Sequence, residues 1–268
     1  MDYIKVANSV RQKIIKMHYT SGASHIGSAL SCVDILVAAY FEVLRIDPND
    51  SHNRDRDRFI LSKGHAASAL YAILAQRGFF NQEILEQYYQ DGGCLPGHAT
   101  KNCVPGVEVS TGSLGHGLSI GIGMALAGRY DNCKYRVFVL LSDGECNEGA
   151  VWEAAMFSSQ HRIENIIAII DYNKLQAFGR TKDVIDLEPF KDKWLSFGWS
   201  VKEIDGHKFD EIIDALKSVP FEKNKPSVII AHTIKGKGVS FMENDLTWHY
   251  KSPNEEEFKI AVKELTAL

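Results

Sequence analysis

Cysteine, proline and long apolar runs are all scarce in this chain. Its 268 residues include five cysteines and seven prolines. The cysteines are odd in number and form no Cys-x-x-Cys pair, which argues against a disulfide framework and against a zinc ribbon. No apolar run approaches the roughly 20 residues that span a bilayer, and the first residues lack the profile of a secretory signal. The sequence therefore predicts a cytoplasmic protein that does not bind membranes.

The chain also lacks a strong excess of charge of either sign. Its formal net charge is −4, which gives no indication of a nucleic-acid or anionic-membrane partner. A hydrophobic content of 45% and a charged content of 24% are ordinary for a globular protein with a buried core. Because neither a repeat nor a linker interrupts the chain, we expect a single domain over residues 1–268.

Apolar runs that end abruptly alternate with helical patterns along most of the chain. The predicted strands are 59–61, 136–141, 165–171, 199–204 and 227–232. The predicted helices are 7–19, 35–41, 64–77, 115–130, 149–161, 209–219 and one within 255–268. A capping box at Ser31 and Asp34 is expected before the second helix, and 92–112 is a long loop. This alternation predicts an α/β fold with a doubly wound, mainly parallel sheet and helices on both faces.

Two predicted strands end in oxygen ligands about thirty positions apart. Asp143 and Gly144 follow one apolar run, and Asp171 and Asn173 end the next. Open α/β sheets bind ligands at the carboxyl edge of their strands, and Mg²⁺ or Ca²⁺ accepts carboxylate, amide and carbonyl oxygens. Asp-Gly and Asn are also ordinary turn residues, so the pair alone does not establish a metal site.

Three histidines and two glycine-rich segments follow predicted element boundaries. His25, His65 and His98 are flanked by glycine or serine, and such residues can also be caps or surface groups. The turn from Thr111 to Gly117 can bring backbone amides close to an anion or a flat ring, although close helix–sheet packing is an equal alternative. The segment from Lys235 to Gly238 offers two cations that suit a diphosphate, as do many basic surface loops.

Together, these segments resemble transketolase over nearly the whole chain, in the family's order. The resemblance rests on the following segments: His25, Lys63-Gly64-His65, Pro96-Gly97-His98, Thr111 to Gly115, Asp143-Gly144 with Glu148-Gly149, Asn173-Lys174, Lys235 to Gly238, and Trp248-His249. It extends to the diphosphate-binding domain only. The chain therefore resembles the amino-terminal subunit of a split transketolase.

The resemblance implies a role for each matched position. The implied metal ligands are Asp143, Asn173 and the backbone carbonyl of Leu175, for Mg²⁺ with Ca²⁺ or Mn²⁺ as substitutes. The implied contacts of thiamine diphosphate are Ser28, His65, Gly112, Ser113, Leu114, Gly144, Asn173, Lys235 and His249. The implied catalytic groups, which face the donor sugar and the reactive carbon, are His25, His98 and His249. Glu148 and Glu153 match acidic positions at the family's subunit interface, and both could equally be first-turn carboxylates favoured by a helix dipole.

The resemblance further implies transfer of a two-carbon ketol unit between sugar phosphates. The activating glutamate and the groups for the sugar phosphate tail belong to the family's pyrimidine-binding half. We therefore expect an inactive lone chain and a carboxyl-terminal partner subunit, in a heterotetramer of two chains of each kind. Ile26 stands where the family usually has proline, and His116 where it usually has glutamine. The effect of His116 on contacts near the aminopyrimidine is left open.

Three alternatives compete with an ordinary split transketolase. A split transketolase for a sulfonated or branched ketose fits the same residues. The α subunit of a 2-oxoacid dehydrogenase shares the metal motif and the two-chain architecture, but it would not require the upstream histidines. A non-catalytic thiamine diphosphate-binding protein would not need proton-handling histidines either.

Overall fold

A five-stranded parallel sheet organises the chain. The computed structural model describes residues 1–267. Its strands are β1 (Arg58–Leu61), β2 (Val137–Ser142), β3 (Ile166–Tyr172), β4 (Ser200–Asp205) and β5 (Ser227–His232). They lie in the order β1-β2-β3-β5-β4, and every pair is parallel. Ser142 pairs with Asp171 in the register of β2 and β3, so the segments that follow these two strands emerge side by side at the carboxyl edge of the sheet.

Ten α-helices connect and cover the strands. They are α1 (Tyr3–Ser21), α2 (Ile26–Ser31), α3 (Val33–Ala38), α4 (Ala67–Arg77), α5 (His116–Tyr130), α6 (Gly149–Gln160), α7 (Thr181–Val184), α8 (Phe190–Ser196), α9 (Phe209–Lys217) and α10 (Glu255–Ala267). Short 3₁₀ turns open several loops, including Gly64–Ala66, Gly144–Asn147 and Leu246–His249. Within the described chain, no helix combines the length and the apolar character that crossing a membrane requires.

The sheet separates two apolar cores. Because successive side chains of a strand point to opposite faces, Phe138 and Leu140 pack with α1, α3 and α4, whereas Val139 and Leu141 pack with α5, α6 and α8. Every residue of β2 and β3 is buried, as parallel strands covered on both faces require. The predicted α/β fold, with a parallel sheet between helical layers, is confirmed.

The predicted elements lie close to the observed ones, with one clear error. Most bounds differ by one to four residues, and 227–232 is the same segment in both. The capping box before the second helix is wrong. Two short helices meet at Cys32, which makes no side-chain cap. The Ser31 hydroxyl donates instead to Asp171 at 2.5 Å, and Asp34 pairs with Arg11. Tertiary partners thus take both side chains away from the local cap.

Candidate active site

A cleft of about 430 Å³ opens at the carboxyl edge of β2 and β3. Its walls include most of the residues singled out from the sequence: His25, Ser28, His65, His98, Gly112, Leu114, Asp143, Gly144, Asn173, Leu175 and His249. Ser113 is exposed and does not line the cleft. Lys235 is fully buried below the cleft wall, which it reaches with its ammonium group. The structure therefore brings together segments separated by more than 200 positions.

Asp143 is held rigidly at the end of β2. Its Oδ1 accepts the Gly144 amide at 2.8 Å, and its Oδ2 accepts the Lys174 amide at 2.7 Å and the Thr181 hydroxyl at 2.9 Å. Burial, followed by the nearby Asp171 carboxylate, raises the pKa of Asp143 to about 6. A buried carboxylate of this kind is stabilised by a cation, so the surroundings of Asp143 suit a metal ion.

Asn173 and Leu175 complete the oxygen set on the neighbouring strand end. The Asn173 Oδ1 accepts the Leu175 amide at 3.1 Å, which fixes the side chain beside its own loop. The Leu175 carbonyl lies 3.2 Å from the Lys235 ammonium, which is also 2.9 Å from His249 Nδ1. Burial, followed by repulsion from Lys63, lowers the pKa of Lys235 to about 8. Among residues 1–267, no three His, Cys, Asp or Glu side chains converge as a metal site, which is consistent with a predicted set that has one carboxylate.

Four imidazole rings form a cluster on the opposite wall. The His25 ring centroid lies 5.3 Å from that of His65, 6.1 Å from that of His98 and 4.9 Å from that of His249. His25 has a left-handed backbone (φ 75°), and its amide donates to the His249 carbonyl at 2.8 Å. This contact joins the start of the chain to its last loop.

Burial keeps three of the four rings uncharged near neutral pH. It lowers the pKa of His25 to about 4 and that of His249 to about 3, with further repulsion from His98 on His25 and from Lys235 on both rings. Burial and the Lys63 ammonium lower the pKa of His65 well below its ordinary value. Neutral imidazoles can donate through one nitrogen and accept through the other, so this wall can bind hydroxyl groups and exchange protons.

Glu145 anchors the glycine-rich turn before α5. Its Oε1 accepts the Gly115 amide at 2.9 Å and the Ser62 hydroxyl, and its Oε2 accepts the Ser142 amide at 3.3 Å. The carboxylate thereby ties the ends of β1 and β2 to the 112–115 turn. Burial raises the pKa of Glu145. The sequence pattern singled out the turn and missed this anchor.

A buried ion pair under the cleft was also missed. Lys63 and Asp171 are both inaccessible to solvent and contact each other directly. Asp171 additionally accepts the hydroxyl groups of Ser31 and Thr233, and Lys63 donates to the Ser28 carbonyl at 2.9 Å. The available signal was the position of Lys63 two residues before His65 and of Asp171 two before Asn173.

Two orphaned polar atoms in the cleft point to a missing ligand. Asn147 Oδ1 and Gln176 Nε2 are buried and have no hydrogen-bond partner among the residues that the structure describes, and both residues line the cleft. Buried polar atoms without partners are rare in native proteins. With the oxygen set at Asp143 and the buried Lys235 cation, these atoms fit a polar, anionic group with a bound metal ion, as thiamine diphosphate has.

Comparison with known proteins identifies the family. Residues 4–266 match the family model described as the transketolase, thiamine diphosphate binding domain. The chain belongs to the transketolase family and corresponds to its cofactor-binding domain. It is the counterpart of the amino-terminal subunit of a split transketolase, in agreement with two similar proteins of nearly its own length.

Those two relatives are named for uncommon sugars. The first of the two subunits of apulose-4-phosphate transketolase from Phocaeicola vulgatus is 43% identical over 256 residues, covering 96% of this chain and 91% of that protein. The 6-deoxy-6-sulfo-D-fructose transketolase subunit of a Clostridium species (strain MSTE9) is 43% identical over 259 residues, covering 97% and 94%.

The solved structures that match are longer transketolases. The transketolase from Leishmania mexicana superposes with a TM-score of 0.93 at 27% identity, covering 99% of this chain and 41% of that one. Human transketolase is 37% identical over 246 residues, covering 91% of this chain and 39% of that protein. The chain thus spans about two fifths of the long transketolases. The predicted resemblance to the amino-terminal subunit of a split transketolase is confirmed.

Proposed function

We propose that residues 1–268 act as one domain that binds the diphosphate end of thiamine diphosphate in the cytoplasm. With a second subunit, the chain transfers a two-carbon ketol unit from a ketose phosphate to an aldose phosphate. The observation that carries this proposal is the convergence of four histidines with the oxygen set of Asp143, Asn173 and Leu175 on one cleft. When bound, thiamine diphosphate supplies the carbon nucleophile for breaking and forming the bond beside the sugar carbonyl.

The proposed metal ligands are the Asp143 carboxylate, the Asn173 amide oxygen and the Leu175 carbonyl, and the proposed ion is Mg²⁺. Asp143 and Asn173 end neighbouring strands, and hydrogen bonds to backbone amides hold both side chains. Hard oxygen ligands at a fixed separation suit a small divalent ion that also binds phosphate oxygens. The metal would offset the cost of burying Asp143 as a carboxylate.

The proposed cofactor contacts surround that ion. Ser28, His65, Gly112, Ser113, Leu114, Gly144, Lys235 and His249 are the set that would hold the cofactor. In support, the Gly144 amide lies at the Asp143 carboxylate and the Lys235 ammonium lies 2.9 Å from His249. A buried ammonium next to oxygen ligands favours a diphosphate, because opposite charges attract strongly where water is excluded. Ser113 would have to be reached from the open side of the cleft.

The histidines are proposed to handle the sugar. Lys235 donates to His249 Nδ1, which leaves the Nε2 hydrogen of His249 free to donate to a substrate oxygen. Burial lowers the pKa of His25 and keeps the ring neutral near pH 7, so it can accept a proton from a hydroxyl group or return one. His98 contributes a further donor or acceptor to the same wall. General acid–base groups of this kind need to be within hydrogen-bond reach of the reacting oxygens.

The partner is proposed to be a carboxyl-terminal transketolase subunit with the pyrimidine-binding domain, in a heterotetramer of two chains of each kind. Helices α5 and α6 begin at the edge of the cleft and expose Ile120, Met156 and Phe157. Further exposed apolar groups, Phe178 and Ile185, lie at the mouth of the cleft itself. Contiguous exposed apolar surface marks interaction sites, so we assign these faces to the partner.

The donor sugar is proposed to be an uncommon ketose rather than xylulose 5-phosphate. The support is the substrates for which the two relatives are named, one a branched sugar phosphate and the other a sulfonated ketose. A common pentose or hexose phosphate is the second candidate. The reconstituted two-subunit enzyme, assayed with matched concentrations of branched, sulfonated and ordinary ketoses, should have its highest kcat/KM on one of the first two classes.

The metal assignment is tested by Asp143→Ala in the reconstituted enzyme. Because a methyl group cannot balance a metal–diphosphate unit, we expect ketol transfer at saturating Mg²⁺ to fall at least about 100-fold. Asp192→Ala is the matched control, since this carboxylate is exposed on α8. Equal activity and equal Mg²⁺ dependence of both variants and the unmodified enzyme would refute the site.

A further inference from the structure

A chain of hydrogen bonds lies behind the loop that carries Lys235. The Arg11 Nη2 donates to Asp34 Oδ2 at 2.6 Å, and His207 Nδ1 lies 2.7 Å from the same oxygen. The opposite ring nitrogen, His207 Nε2, is 2.9 Å from the backbone nitrogen of Ile234, the residue before Lys235. This chain links α1, α3 and the segment after β4 to the loop after β5.

Geometry fixes the hydrogen positions along this chain. The Ile234 amide can only donate, so His207 Nε2 must accept and carries no hydrogen. His207 Nδ1 therefore carries the hydrogen and donates to Asp34. Arg11 and Asp34 are almost fully buried, with side chains 6% exposed each, so the carboxylate cannot turn to water instead. The imidazole is held in one tautomer and one orientation.

The Ile234 amide is an anchor point of the Lys235 loop. Backbone bonds hold the loop on its other sides, from Gly236 to the Gly27 carbonyl at 3.0 Å and from Asn244 to the Lys235 carbonyl at 2.9 Å. Loss of the His207 bond would free the backbone directly before Lys235. The Lys235 ammonium would then be less firmly directed toward the Leu175 carbonyl and His249.

We propose that His207, oriented by Asp34 and Arg11, is a positioning residue that directs Lys235 to the cofactor diphosphate. This inference rests on the proposed cofactor site, because it assigns Lys235 a diphosphate to bind. His207 does not line the cleft and acts through the Ile234 backbone. Preorganised charges bind more tightly than mobile ones, since less ordering remains at the moment of binding.

Two substitutions separate the two arms of the imidazole. In His207→Gln, the amide oxygen can take the place of Nε2 and accept the Ile234 amide, while the bond to Asp34 is lost. In His207→Asn, the amide nitrogen can take the place of Nδ1 and donate to Asp34, while the Ile234 amide loses its acceptor. Because the Ile234 arm holds the loop, we expect glutamine to preserve cofactor binding and asparagine to impair it.

The experiment measures the dissociation constant of thiamine diphosphate by calorimetry, on the assembled complex with Mg²⁺ present. We expect His207→Asn to raise this constant about tenfold, or about 1.4 kcal/mol, and His207→Gln to change it less than threefold. Lys235→Ala should raise it by more than either variant. Adding His207→Asn to Lys235→Ala should then change the constant less than twofold, because a residue that acts through Lys235 has no effect once Lys235 is gone.

Several results would overturn the inference while leaving the cofactor site intact. They are an unchanged constant in His207→Asn, the same tenfold loss in glutamine and asparagine variants, or a full tenfold loss in the Lys235→Ala background. Thermal unfolding of each complex without cofactor distinguishes positioning from general destabilisation, and a loss of affinity that only follows the melting temperature also overturns it. A wild-type complex that does not bind thiamine diphosphate overturns the proposed function as well.

Discussion

The cleft histidines differ in how deeply they lie and in which ligand they would meet. His65 is set on the 3₁₀ turn after β1 and is more deeply enclosed than His98, which is on the long 92–112 loop. The Tyr71 hydroxyl donates to the His98 carbonyl at 3.0 Å, which fixes the backbone at this position. We therefore place His65 toward the cofactor and His98 toward the donor sugar.

Alanine at these two positions should have separable effects in the assembled enzyme. His98→Ala is expected to raise the KM for the ketose or lower kcat by about 10- to 100-fold, with the cofactor dissociation constant nearly unchanged. His65→Ala should weaken cofactor binding first. An interaction made only with substrate cannot alter the affinity of the empty enzyme for its cofactor. Cofactor titrations and ketose kinetics on both variants check the assignment, and a loss of cofactor affinity in His98→Ala would contradict it.

A fully buried histidine outside the cleft makes stability depend on pH. His18 Nδ1 donates to the Ala23 carbonyl at 2.9 Å, and Nε2 accepts the Ser68 hydroxyl at 2.8 Å. Burial lowers the pKa of His18 from 6.5 to about 4. Above pH 6.5 the ring is neutral in both states and has no pH-dependent effect. Between pH 6.5 and 4 only the unfolded chain binds the proton, so acid favours unfolding.

The free energy of unfolding should therefore fall by about 3 kcal/mol from this group as the pH drops from about 6.5 to 4. His18→Asn retains a donor for the Ala23 carbonyl and removes the titrating ring. Urea unfolding of both proteins at several pH values measures the difference. The other buried histidines contribute to both curves, so the prediction concerns the gap between them. Parallel curves over this range would show that His18 does not carry the effect.

Helix α5 illustrates why glycine is needed inside an element. The sequence indicated that its glycines allow close backbone approach, and this is confirmed for Gly121. A methyl group there would lie 2.6 Å from the Val139 side chain of β2. Gly123, two positions along, has no heavy atom within 4 Å of such a methyl group. The two glycines thus have opposite relations to the sheet on one helix.

Gly121→Ala should destabilise the chain by about 1–3 kcal/mol, because the added methyl group forces the helix away from the sheet. Gly123→Ala should stabilise it by about 0.5–1 kcal/mol, since alanine loses less backbone entropy in a helix. Denaturant unfolding of the isolated chain gives both values. If both substitutions stabilised the chain alike, the close approach of α5 to β2 would be wrong.

Local patterns at the ends of the strands predicted more than the patterns at the helix starts. Asp143 and Asn173 could be placed at one edge because parallel strands end together. The expected cap at Ser31 failed because its hydroxyl bonds to Asp171, 140 positions away. A sequence pattern within four residues cannot contain such a partner. The same distance hides the ion pair between Lys63 and Asp171.

The assembled enzyme should depend on the exposed apolar faces of α5 and α6. Phe157 on α6 is 44% exposed, and Ile260 on α10 is similarly exposed at 42%. Helix α10 packs on α1, on the other side of the sheet. Phe157→Asp should weaken association with the partner by at least about tenfold, because it buries an unpaired charge. Ile260→Asp is the matched control and should leave association unchanged. Sedimentation of the mixed chains measures both, and equal association of the two variants would place the partner elsewhere.

The sequence by itself determined the α/β class, the parallel strand ends and the family, because these depend on the periodicity of apolar residues and on short segments in a fixed order. It also selected His25, His65, His98 and His249, which the structure places in one cleft. Only the tertiary structure decided how these side chains are held. Glu145 fixes the 112–115 turn, the Lys63–Asp171 pair lies under the cleft and His207 holds Ile234. Each of these contacts joins residues far apart in the chain, and their geometry and burial exist only once the sheet and its helices are packed.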